Sequence, residues 1–180
     1  MSSLTITALF AALISAGALI AIPIGPVPIA LQNFFTLLAG LVLGPVFGSA
    51  AVGLFIVAGA IGMPVFANNG SPMGFARIIG PTGGYLFGYL LGAFTAGLIV
   101  GFPGQGIKTP PWRIAAAAAA GMLVVYIPGL IRLKYFLDVS WRQTFIAGFI
   151  PFLPGDAVKG VLAALMSLRL RRIAAQLLAG

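Results

Sequence analysis

Phe152-Leu153-Pro154-Gly155-Asp156-Ala157-Val158-Lys159 holds one of only two acidic residues in the chain. It lies inside residues 143–168, a run that otherwise reads as a membrane helix. A charged side chain at that depth costs roughly 2.5–3.5 kcal/mol on insertion scales and usually marks a site. Pro154 suits the first turn of a helix, where its missing N–H is not needed. Asp156 then lies near the positive end of the helix dipole, which favours the ionised carboxylate. The i, i+3 spacing sets Asp156 and Lys159 on one helix face. Two readings follow. One is a self-neutralising pair that lets the helix insert; the other is a pair of hydrogen-bonding groups facing a polar ligand inside a helix bundle.

The surroundings decide the class. The chain has 180 residues, 61% of them hydrophobic and only 7% charged, with a mean hydropathy of +1.14. This is the composition of a polytopic membrane protein, read as a single integral membrane domain over residues 1–180. Residues 1–76 carry no charged side chain. Cysteine and histidine are absent, which excludes disulfides, thiol nucleophiles and histidine-based metal or haem sites. The net charge of +8 points to helix ends and anionic lipid head groups in a bilayer, and not to nucleic acid. Met1-Ser2-Ser3 lacks a basic leader, so residues 4–22 read as a retained first helix and not as a secretory signal.

At about 20 apolar residues per span, the chain divides into six transmembrane helices. The first, over 4–22, repeats small residues at Ala8, Ala12 and Ala16, a stripe that admits a close helix neighbour. Residues 22–28, with three prolines and a glycine, form an apolar loop. Gln32 and Asn33 open a second helix over 32–43, Gly44-Pro45 turns the chain, and a third helix covers 46–61. Both are short for a full crossing. Residues 62–81 form a loop with the adjacent Asn68 and Asn69 and the first charge, Arg77. Asn-Asn-Gly is turn chemistry, which alone accounts for both asparagines. The fourth helix runs over 82–100 with Tyr85 as an interface aromatic at its start. The fifth covers 114–131, and residues 132–142 are a charged loop before the last run.

Six spans put both termini on one side. Lys108, Arg113, Arg169, Arg171 and Arg172 share that side, and the positive-inside rule makes it cytoplasmic. Arg132, Lys134 and Arg142 fall outside, so the rule is only partly obeyed. The Pro-rich loop, the loop from Asn68 to Arg77 and the start of the Asp156 helix then gather at the outer end, where a binding site open outward is expected. Catalytic motifs are missing. Residues 101–109 resemble a phosphate-binding loop only remotely, since Ile107 stands where its lysine belongs, so the chain is not expected to hydrolyse ATP. Two carboxylates are too few for metal-dependent phosphoryl transfer. No cofactor and no metal are expected, and no enzymatic activity.

Five segments together resemble the BioY family, the biotin-specific substrate-binding (S) components of energy-coupling-factor (ECF) transporters: Pro26-Val27-Pro28 with Leu31-Gln32; 37–45, ending in Leu43-Gly44-Pro45; Gly62-Met63-Pro64-Val65-Phe66-Ala67; Gly80-Pro81-Thr82-Gly83-Gly84-Tyr85-Leu86; and Pro151-Phe152-Leu153-Pro154-Gly155-Asp156 with Lys159. The resemblance implies an all-α membrane protein of six transmembrane helices with cytoplasmic termini in a bacterial cell membrane. It implies high-affinity capture of biotin. It also implies partners: a transmembrane coupling protein and two ATPase subunits. Ala8, Ala12 and Ala16 match the small-residue face by which such components dock on the coupling protein. Asp156 and Lys159 match the family's ligand residues within the Pro-Gly-Asp-x-x-Lys motif. Arg77 fits its arginine, and either Asn69 or Asn68 its asparagine. Asp156 suits a ureido N–H, Arg77 and Lys159 suit the ureido carbonyl or the carboxylate, and Tyr85 suits the apolar ring. Two alternatives remain: an S component for another vitamin, and a proton-coupled transporter using Asp156 as its relay.

Overall fold

The computed structural model describes residues 3–23, 26–67, 74–104 and 109–179. Its elements are α1 (Ser3–Leu19), β1 (Ala21–Ile22), β2 (Ile29–Ala30), α2 (Gln32–Ala60), α3 (Phe75–Ile79), α4 (Gly83–Val100), α5 (Pro111–Leu137), α6 (Trp141–Gly148), a 3-10 turn (Ile150–Phe152) and α7 (Leu153–Ala179). Counted by passes between the two ends of the bundle, with α6 and α7 as one unit, this is the six-helix arrangement, because α2 is two helices. Gly44 breaks it with φ 80° and ψ −174°, a backbone conformation that favours glycine, and Pro45 begins the second limb. The limbs fold back on one another so closely that a Cβ on Gly48 would come within 2.7 Å of the Gly40 Cα. Residues 32–43 span about 18 Å and residues 45–60 about 24 Å at 1.5 Å per residue. Neither limb crosses a hydrocarbon core of about 30 Å alone.

Four helical stretches are long and apolar enough to cross a membrane: α2, α4, α5 and the α6–α7 unit. Together with the apolar α1 they make the chain a multi-pass membrane protein. The main core lies between α1, α2 and α4, with Ile14, Leu41, Leu43, Val52 and Phe55 fully enclosed. A second cluster, Val27, Tyr85, Tyr126, Leu130, Leu133 and Phe152, sits at one end of the bundle.

Three boundaries differ from expectation. The first helix stops at Leu19, because the backbone then pairs as a short antiparallel ribbon, Ala21 with Ala30 and Ile22 with Ile29. The Leu31 N–H donates back to the Gly17 and Ile20 carbonyls, tucking the ribbon over the end of α1. The fifth helix runs through Pro128 to Leu137 and ends at Asp138, which takes a left-handed conformation. The expected charged loop over 132–142 is therefore mostly helix. Ser140 and Gln143 form a capping box that starts α6 at once, each side chain serving the other's backbone N–H.

These connections order the bundle along its axis. The ribbon, α3 and the α6–α7 junction lie at one end. The Gly44 turn packs near Phe102 at the other, where Arg171 reaches the carbonyls of Leu41, Val100 and Gly101. Since α1 ends and α7 begins at the first end, the two chain ends lie toward the second, the basic one.

Candidate ligand-binding site

Asp156 sits in the first turn of α7 and is 7% exposed. Its carboxylate accepts from the Asn33 Nδ2 at 2.7 Å and from the Tyr126 hydroxyl, and it pairs with the Lys159 Nζ at 3.4 Å. The Lys159 ammonium, 9% exposed, also donates to the Ala30 carbonyl at 2.8 Å and to the Asn33 Oδ1 at 3.0 Å. One asparagine therefore clamps both charges, donating to the acid and accepting from the base. Four segments meet here: α7, the start of α2, the ribbon and α5. A buried ion pair survives when such extra bonds satisfy both groups. In this respect the self-neutralising reading describes the geometry well.

Arg77 lies on α3, outside the spanning helices, and is 7% exposed. Burial pushes its guanidinium below its usual pKa. Its Nη2 donates to the Ala67 carbonyl at 2.7 Å, its one hydrogen bond among the described residues. A guanidinium carries five N–H donors, more than this one bond among the described residues uses. Arg132 fixes the exit of this short helix by donating to the Ile79 and Gly80 carbonyls.

Gln32 faces the same space. Its side chain reaches the Tyr89 hydroxyl, but its Oε1 is buried with no hydrogen-bond partner. Such an atom forfeits roughly 1–3 kcal/mol of solvation unless something pairs with it.

Tyr85, expected as an interface aromatic, is buried instead. Its hydroxyl donates to the Gly148 carbonyl at 2.8 Å, and its ring presses on Gly129, where any Cβ would overlap it. Its polar atom is spent on joining α4 to α6, so it offers a ligand an apolar wall.

Two adjoining chambers result. One is bordered by Gln32, Phe66, Ala67, Arg77, Thr82 and Leu86, the other by Asn33, Val125, Tyr126, Phe152, Asp156 and Lys159. Val27, Pro28, Tyr85 and Tyr89 line both, so the Pro-rich loop lies over them as a common cover. Each has about 20 Å³ of free volume, room for about one water molecule. A larger ligand enters only if the cover and walls separate.

Of the residues singled out in the sequence, Asp156, Lys159, Arg77 and Tyr85 converge on this pair of chambers. Asn68 and Asn69 lie outside the described residues. Sequence reasoning assigned no role to Asn33, Tyr126, Tyr89 or Thr82, and placed Gln32 only within a motif. The available signal was the Gln32-Asn33 pair, polar groups at the mouth of a helix that is otherwise almost wholly apolar. Ala8, Ala12 and Ala16 line an exposed face of α1, well apart from the chambers.

Residues 1–176 match the model of the BioY family. The biotin transporter BioY of Thermotoga maritima is 41% identical over 173 residues, covering 96% of this chain and 98% of the relative. A probable biotin transporter BioY of Pyrococcus horikoshii is 41% identical over 167 residues, covering 93% and 94% of the two chains. Among solved structures, the crystal structure of the S component for biotin from an ECF-type ABC transporter superposes with a TM-score of 0.82 at 34% identity. It covers 94% of this chain and 90% of that one.

Proposed function

The chain belongs to the BioY family, and from that premise we propose that it captures biotin as the substrate-binding component of an ECF-type transporter in the bacterial cell membrane. The observation that carries the reading is the partnerless Gln32 oxygen in a buried chamber that Arg77 also lines. Hydrogen-bonding capacity left idle in a buried chamber is put to use by a bound polar molecule.

Biotin suits these groups. Its ureido ring offers two N–H donors and a carbonyl acceptor side by side, its thioether ring is apolar, and its valeryl chain ends in a carboxylate. Gln32 provides an acceptor, Arg77 provides donors, and Asp156 and Lys159 provide one of each. Tyr85, Tyr89, Phe66 and Val27 supply apolar walls. Mostly apolar walls with a few placed polar groups are the usual design of a small-molecule site. Entry of the ligand requires the Val27-Pro28 cover to lift, and closure over it then excludes water.

The chain itself has no nucleotide-binding motif, so energy for release comes from a coupling protein and two ATPase subunits. The exposed Ala8, Ala12 and Ala16 face is where the coupling protein docks, since small residues let helices approach closely. The chambers then face outward and both termini lie in the cytoplasm. A proton-relay role for Asp156 is disfavoured, because its carboxylate already serves three donors.

Calorimetric titration of the detergent-solubilised protein with biotin tests the reading, with thiamine and riboflavin as controls. Saturable one-to-one binding of biotin alone is expected. Binding of another vitamin in its place would keep the transporter class and remove the substrate.

A further inference from the structure

A trough runs along the outside of the bundle between α5 and α7. It has a volume of about 610 Å³ and is walled by small or apolar side chains, among them Ala115, Ala118 and Met122 on α5 and Ala157, Gly160 and Ala164 on α7. Between Leu153 and Leu168 it extends about 22 Å at 1.5 Å per residue. That exceeds the roughly 15 Å depth of one leaflet of hydrocarbon, so the trough is long enough to take an acyl chain end to end. At one end it closes on Tyr126 and Asp156. At the other it passes Pro111, Ile114 and Leu168 into a second hollow of about 630 Å³, bordered by Arg171 and Arg172.

The charge at that end is unbalanced. Arg171 is buried and donates only to neutral carbonyls, those of Leu41, Val100 and Gly101. Arg172 is exposed at the rim. Both acidic residues of the chain, Asp138 and Asp156, lie at the opposite end of the bundle. An acyl-sized apolar trough that leads into uncompensated guanidinium charge complements one kind of molecule. We propose that an anionic phospholipid occupies this site, with one acyl chain between α5 and α7 and its phosphate against Arg172.

Within a bilayer the chain gains little by leaving its neighbours, which are equally apolar. Selection therefore comes from the head group, and a basic residue near the surface favours an anionic lipid by about fivefold. The site does not involve α1, so it is separate from the Ala8–Ala12–Ala16 face, and it does not rest on the identity of the vitamin.

Tryptophan quenching tests it. The chain has two tryptophans, Trp112 and Trp141. Replacing both by Phe and introducing Leu123→Trp leaves one reporter on the wall of the trough. The variant is placed in nanodiscs with phosphatidylglycerol or phosphatidylcholine brominated in mid-chain. Quenching should favour phosphatidylglycerol by about fivefold in relative affinity. Arg172→Gln should bring the ratio close to one, and so should high salt. Equal quenching by the two lipids with Arg172 in place overturns the proposal. Absence of quenching by either also overturns it, because no acyl chain then lies against the reporter.

Discussion

Asp156 and Gln32 border adjoining chambers under the same Pro-rich cover, and each is 7% exposed. Their hydrogen bonding differs completely. Asp156 is saturated by Asn33, Tyr126 and Lys159, drawn from three helices. Gln32 keeps a bare oxygen, and neighbouring Arg77 uses one donor among the described residues. The first chamber is a completed network, so its groups stabilise the fold whatever else they bind. The second keeps an unused acceptor on Gln32, so on the proposed function it serves binding more than stability. Mutations in the two chambers should therefore split binding from stability.

The largest effect is expected at Asp156. Asp156→Asn keeps the shape but leaves the Lys159 ammonium buried without a counter-charge, a change that costs about 3–5 kcal/mol. Against a typical stability of 5–15 kcal/mol the protein still folds. Biotin affinity should fall by about 100-fold or more, and the melting temperature should fall with it. Calorimetry and thermal unfolding in the same detergent measure both. Binding equal to that of the parent would take Asp156 out of the site.

How far this site was legible depends on the range of each contact. Asp156 and Lys159 are three residues apart on one helix turn, so their pairing followed from spacing alone. Asn33, which joins them, comes from the start of α2, and Tyr126 comes from the middle of α5; no local pattern signals either meeting. The residues alone read Tyr85 as an interface aromatic, the ordinary place of one at a helix start, and only the family resemblance put it against a ligand. What buries it is the absence of side chains on Gly129 and Gly148, which only the packed helices reveal. The spans themselves were plain from hydropathy, and the Gly44-Pro45 turn from its residue types. The end of α5 was missed because a proline tolerated within a packed helix looks, in sequence, like a terminator. The ribbon was missed because two-residue strands carry no periodicity.

Gln32→Met probes the other half of the comparison. The substitution removes the bare oxygen at nearly constant volume, but it also takes a partner from the Tyr89 hydroxyl. The two changes oppose one another, each about 1 kcal/mol, so the melting temperature should barely move. Biotin affinity should drop by about tenfold, the equivalent of one hydrogen bond of 1.4 kcal/mol. A variant that melts much lower while binding normally would mean that Gln32 is structural, and the two chambers would then be alike.

Tyr126→Phe should have the smallest effect and locates the boundary between the two behaviours. The ring stays edge-on to Phe149 at 4.7 Å and to Tyr85 at 6.3 Å, so packing is preserved and only the hydroxyl bond to Asp156 is lost. Asn33 and Lys159 still hold the other carboxylate oxygen, which keeps Asp156 in place. Affinity for biotin should fall by about threefold, less than 1 kcal/mol, with a small drop in melting temperature measured on the same samples. A loss as large as that of Asp156→Asn would show that the hydroxyl, and not the asparagine clamp, sets the carboxylate's orientation. In that case the network is less redundant than three donors to one carboxylate imply, and α5 would position the charged pair as firmly as α2 does.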